Sequence, residues 1–138
     1  ILWNLEGSPV VNYAMTYEDV SQGAWYAEAI RWASSEGLVE GYSAQRFGPG
    51  DLITREQMAT LLHRYCQYKG YSADGSGDLS GYTDLASVSG YALEAMEWAV
   101  GTGLIQGTSE TTLSPRTDMN RAWAAVLLTR FCRTYVQP

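Results

Sequence analysis

The chain has 138 residues, with nine Lys and Arg against fifteen Asp and Glu, for a formal net charge of −6. Hydrophobic residues make up 46% and charged residues 17%, which excludes a disordered chain. The acidic balance excludes the basic face that wrapping a nucleic acid requires. No uninterrupted apolar run approaches the ~20 residues of a membrane helix. Two Cys are too few for a disulfide scaffold, and no Cys/His cluster has metal-ligand spacing, so neither a metal nor a cofactor is expected. Five Trp and ten Tyr outnumber two Phe, a bias toward flat apolar faces with a polar handle.

The opening Ile1-Leu2-Trp3-Asn4-Leu5-Glu6-Gly7 has no Met and no signal-peptide pattern. It reads as the interior of a longer protein. Sliding the sequence against itself by 66 residues lays 25–70 over 91–136 without a gap. Trp32 meets Trp98, Gly37 meets Gly103, Gly41 meets Gly107, Pro49 meets Pro115, Arg55 meets Arg121 and Cys66 meets Cys132. About a third of the aligned positions are identical, which marks an internal repeat. Ile1–Leu5 falls over 61–65 in the same register. The expected organisation is therefore a last helix of a truncated preceding repeat plus a connection (1–16), a complete repeat (17–70), a Gly/Ser-rich linker (71–81), and a second, more degenerate repeat (82–138).

Each repeat reads as helix, loop, helix. Trp25, Ala29, Trp32 and Ala33 are spaced for one face of a helix from about Ala24 to Glu36, which Gly37 ends as a left-handed cap. A loop over 40–51 carries three Gly and one Pro, with Phe47 placed to pin it to the core. Thr54 and Gln57 form a capping box, with Ile53 and Met58 as a hydrophobic staple, ahead of the apolar stripe Met58, Leu61, Leu62, Tyr65 and Cys66. In the second copy Asn120 keeps the cap but Trp123 replaces Gln57. No alternating run supports a sheet, so the expected fold is all-α.

Several other groups read as structural. Trp32 and Trp98 belong to the core. His63 reads as a surface or boundary residue, Glu94 and Glu97 as a solvated face, and Cys66 and Cys132 as free buried thiols. Asp74, Ser76 and Asp78 only loosely suggest calcium, because the Gly and terminal Glu of a calcium loop are missing. No nucleophile–base set can be assembled, so no enzymatic activity is expected.

In order, Tyr17-Glu18-Asp19-Val20, Trp25-Tyr26, Gly37-Leu38-Val39, Gly41-Tyr42, Phe47-Gly48-Pro49 and Ile53-Thr54-Arg55-Glu56 resemble the S-layer homology repeat of bacterial surface proteins. The resemblance covers nearly the whole chain. It implies repeats gathered into a pseudo-threefold helical bundle with grooves between neighbours. It also implies noncovalent anchoring to the cell wall through secondary cell-wall polysaccharides that often carry pyruvyl carboxylates, and hence a location at the cell surface. The ligand-binding candidates it implies are Asp19, Trp25, Tyr26, Gly41, Tyr42, Thr54 and Arg55, with Asp84, Asn120 and Arg121 in the second copy. The alternative is an assembly module, in which degenerate repeats complete the threefold body as a homo-oligomer.

Physics adds an argument at Arg55. A cation in the first turn of a helix opposes the macrodipole by about 0.3–1 kcal/mol. An anion there would meet free backbone N–H groups and a guanidinium together. The competing reading is an Arg that is solvated or paired with an acid such as Asp19.

Overall fold

The computed structural model describes residues 1–72 and 77–136. Every regular element among them is helical, with Thr54 and Asp118 forming an isolated β-bridge. The helices are α1 (Leu2–Leu5), α2 (Ala27–Ser35), α3 (Arg55–Lys69), α4 (Leu93–Gly101) and α5 (Arg121–Phe131). Short 3₁₀ turns at Leu85–Ser87 and Gly90–Ala92 precede α4, and a π-helical turn at Cys132–Val136 follows α5. Asp74 and Ser76 of the loose calcium reading lie outside the described residues. Asp78 uses a carboxylate oxygen to accept the Ser80 N–H at 2.9 Å.

The chain divides into two compact units, Ile1–Asp51 and Leu52–Pro138. In the first, α1 packs on α2 through Leu2, and Val20, Ala27, Trp32 and Leu38 are buried. In the second, α3 packs on α4 and on the 3₁₀ turn before it. Its core holds Leu62, Tyr65, Met96, Trp98, Leu104, Leu113 and Phe131. The packing units are thus offset from the sequence repeats by one helix. The second helix of the first full repeat shares its core with the first helix of the second.

The caps follow from local chemistry. Thr54 Oγ1 accepts from the Gln57 N–H while Gln57 Oε1 accepts from the Thr54 N–H at 2.9 Å, completing the capping box. Gly37 and Gly103 take φ of 71° and 77°, and the next residue, Leu38 or Leu104, donates back to Ala33 or Ala99 at 2.9 Å and is buried. This is the left-handed cap with its hydrophobic contact.

Two expectations are corrected. The first helix begins at Ala27, not Ala24, and Trp25 is 89% exposed instead of facing the core. Tight turns, with Ala24 donating to Ser21 and Ala27 to Ala24, precede the helix. Trp25 lies in these turns and not in the helix, so the 3.6-residue stripe does not extend to it. His63 is buried, with its ring 5.2 Å from that of Trp98. The helix has no solvent face there because α4 covers it.

Cys66 and Cys132 are free, the first buried and the second half-buried. Burial pushes the Cys66 thiol up to about 12, so it stays protonated at pH 8. Alkylation of the folded protein at pH 8 is expected to spare Cys66, with peptide mass spectrometry detecting its modification only after denaturation.

Candidate functional site

The start of α3 is built by residues far away in sequence. Its first two amides, those of Arg55 and Glu56, donate to the carbonyls of Thr117 at 3.0 Å and Pro115 at 2.8 Å. The third, Gln57, is taken by the capping threonine. The free N–H groups expected for an incoming anion are therefore already spent, because a neighbouring loop supplies carbonyl oxygens at the positive end of the helix.

Arg55 itself is 5% exposed. Its Nε donates to the Leu113 carbonyl at 2.9 Å and its Nη2 to the Gln106 carbonyl at 2.7 Å. Its guanidinium carbon lies 5.8 Å from the centroid of the Trp123 ring, a cation–π arrangement. Burial pulls its pKa down from the ordinary arginine value, and the charge of Asp84 works the other way. Its surroundings thus come from the second repeat. Glu56, one residue on, is also buried and fixes the turn before α4. Its two carboxylate oxygens accept the Ser89 hydroxyl at 2.6 Å and the Ser89 N–H at 2.9 Å.

Beside Arg55 lies a shallow depression open to solvent, with a cavity volume of about 10 Å³. Arg55, Gln106, Met119, Trp123, Val126 and Arg130 contribute to its lining. Trp123 is 49% exposed, so an indole stands at the mouth. Arg130 makes one long contact, Nη1 to the Leu104 carbonyl at 3.4 Å. Among the described residues neither guanidinium is within salt-bridge distance of a carboxylate, and the ion pair found there joins Arg31 to Glu28 in α2. Trp123, Gln106 and Arg130 were not candidates in the sequence. The replacement of the capping-box Gln57 by Trp123 was the signal that could have raised the first.

The other predicted residues take definite places. Asp19 uses both oxygens on the loop of its own repeat, accepting from the Phe47 N–H at 2.9 Å and the Gly48 N–H at 2.7 Å. Asp84 does the same with the Leu113 and Ser114 N–H groups at 2.9 and 2.8 Å. The amides of Phe47 and Gly48 hold Asp19 below the usual carboxylate range. At Asp84 desolvation pushes upward, but the amides of Leu113 and Ser114, its own amide and Arg55 together outweigh it and hold the group low. Gly41 donates its N–H to the Tyr17 hydroxyl at 3.0 Å, and a Cβ there would collide with the Ser43 and Arg46 carbonyls and the Tyr17 ring. Its lack of a side chain thus serves the loop. Tyr42 is exposed with Arg46 over its ring at 5.5 Å, and Trp25 stands edge-on to Tyr26 at 5.4 Å. Thr54 and Asn120 are helix caps, and Arg121 is exposed.

The S-layer homology domain family matches residues 16–59 and 81–125, more than half of the chain. A surface-layer 125 kDa protein of Lysinibacillus sphaericus is 33% identical over 119 residues, covering 84% of this chain and 10% of that protein. A cellulosome-anchoring protein of Acetivibrio thermocellus is 29% identical over 126 residues, covering 91% of this chain and 28% of that one. An exoglucanase of Acetivibrio thermocellus is 32% identical over 117 residues, covering 84% of this chain and 11% of that enzyme. The chain therefore spans a small part of these relatives' length.

A carboxyl whose pKa is lowered by folding stabilises the fold above its unfolded value, near 3.9 for Asp, and loses that contribution as pH falls through the lowered value. Thermal melting from pH 7 to pH 2 is expected to show the native chain losing stability in acid. Asp84→Asn is expected to start lower at pH 7 and to fall less steeply.

Proposed function

Because the chain belongs to the S-layer homology domain family, we propose that it is a non-catalytic cell-surface anchoring module that holds a cell-wall polysaccharide noncovalently. The observation that carries the reading is the pocket in the Leu52–Pro138 unit where Arg55 and Arg130 border a half-exposed Trp123. An indole face takes the apolar side of a sugar ring, and guanidinium forks take its carboxylate. In a chain of net charge −6, two cations at one pocket with no carboxylate within salt-bridge distance among the described residues favour an acidic ligand. The printed names of the relatives agree with a surface role: a surface-layer protein and a cellulosome-anchoring protein. The match to an exoglucanase fits a module that accompanies catalytic parts in longer chains.

On this reading the candidates divide by task. Arg55 supplies charge from a fixed position, Asp84 and Thr54 hold the backbone around it, and Asn120 orients the turn that carries Trp123. In the first unit the exposed rings of Trp25 and Tyr42 and the half-buried ring of Tyr26 offer further stacking faces, with Asp19 and Gly41 shaping the loop. Arg121 offers an accessible cation at the start of α5. A pyruvyl carboxylate is the acidic group for which these guanidiniums are suited.

Trp123→Ala leaves the cap and the Arg55 hydrogen bonds intact, so it separates binding from folding. Its retention on purified cell-wall polysaccharide is expected to drop at least tenfold, with circular dichroism unchanged. Removal of the pyruvyl groups from the polysaccharide is expected to weaken the native chain to a similar degree. Equal retention of native and Trp123→Ala chains would remove the pocket from the binding surface.

A further inference from the structure

Position 106 differs between the repeats in charge alone. In the 66-residue register Gln106 falls over Glu40, so a neutral amide stands where the other repeat has an acid of the same length. The main chain of Gln106 belongs to the Arg55 lock, because its carbonyl accepts from Nη2 at 2.7 Å. That bond places the Gln106 side chain one residue's reach from the guanidinium. The side chain is exposed, borders the depression and makes no hydrogen bond among the described residues. An exposed, unbonded glutamine contributes little to folding, which leaves its chemistry free for another task.

Electrostatics points to that task. Arg55 and Arg130 both border the depression. Arg55 spends Nε and Nη2 on main-chain carbonyls, and its Nη1 donates to no group among the described residues. Burial strips water from this guanidinium, so an anion reaching it is held more strongly than at an open surface. Asp84 is the acid whose charge acts on Arg55, and the Leu113 and Ser114 amides occupy both of its oxygens. Two guanidiniums against this one carboxylate leave a single net positive charge at the depression. A second carboxylate at position 106 would cancel it. Being tethered, it would also compete for the guanidiniums at high effective concentration. Two more lining residues depart from the first repeat in the same direction: Trp123 and Val126 stand where the register has Gln57 and Thr60. Each exchange removes a polar group, and none adds an acid.

Given the acid-binding reading of the pocket, on which this step rests, we propose that Gln106 is a specificity-determining residue of the site. Its neutrality lets the depression accept the carboxylate of a polysaccharide. A glutamate in its place, as at position 40, closes the site to acidic ligands. Charge, more than size or hydrogen bonding, then orders the variants at this position, since like charges brought together across a contact oppose binding strongly.

Retention on purified pyruvylated cell-wall polysaccharide tests the proposal, with the native chain beside Gln106→Glu, Gln106→Met and Gln106→Lys. Position 106 is exposed, so the three variants keep the fold, which circular dichroism checks. Gln106→Glu is expected to lose at least tenfold in retention. Gln106→Met keeps the length without the amide and is expected to stay within about twofold of native. Gln106→Lys is expected to bind at least as tightly as native and to weaken more steeply with added salt. Native-level retention of Gln106→Glu overturns the proposal and leaves the anchoring reading standing. An equal loss in Gln106→Met also overturns it, because the side chain then acts by contact and not by charge. A native chain that is not retained overturns both.

Discussion

The second unit depends on a guanidinium held in place by backbone oxygens. Arg55 reaches from the first turn of α3 to carbonyls 51 and 58 residues further along the chain, and the amides on either side of it do the same with Pro115 and Thr117. Donors that a helix leaves unpaired at its start are thereby consumed by a loop that has no regular structure of its own. Loop and helix fix each other. The carbonyls also answer the electrostatic oddity of a cation at a positive helix end, since they bring partial negative charge to both at once. The two hydrogen bonds from this charged donor, one buried and one half-buried, belong to the stronger class, and they leave the indole of Trp123 beside the open side.

Around this lock the paired aspartates act as internal clamps. Asp19 and Asp84 each stand before a first helix and bind two successive amides about thirty residues ahead. A loop rich in glycine and short polar side chains has little apolar surface with which to order itself. Two charge-assisted hydrogen bonds at one point do that work instead. Glu56 performs the same service between repeats, holding the 3₁₀ turn that launches α4.

The parts of this structure legible in the sequence are those decided locally. The capping box at Thr54, the left-handed caps at Gly37 and Gly103, and the apolar stripes through Trp32 and Trp98 follow from neighbours within a turn or two, and each is where its spacing placed it. Trp25 misled because an apolar periodicity cannot say where a run of turns gives way to a helix. His63 misled because its cover, Trp98, comes from another repeat. The site shows the same divide. Arg55 stood out as a cation at a helix start, but its partners Gln106, Leu113 and Trp123 are set by packing between repeats, which no single window of sequence contains. Arg55 belongs to the Leu52–Pro138 unit, whereas Asp19 and the aromatics of its own repeat belong to the Ile1–Asp51 unit.

The one-helix offset between covalent repeat and packed unit bears on how such chains lengthen. Duplicating a segment of this kind inserts one more closed joint and leaves the two termini as they were. Each added copy is stabilised by its predecessor's second helix and in turn stabilises its successor's first. Gene duplication then needs no newly invented contact. A polar contact at a joint, such as that of Glu56 with Ser89, is enough to make the order of copies matter.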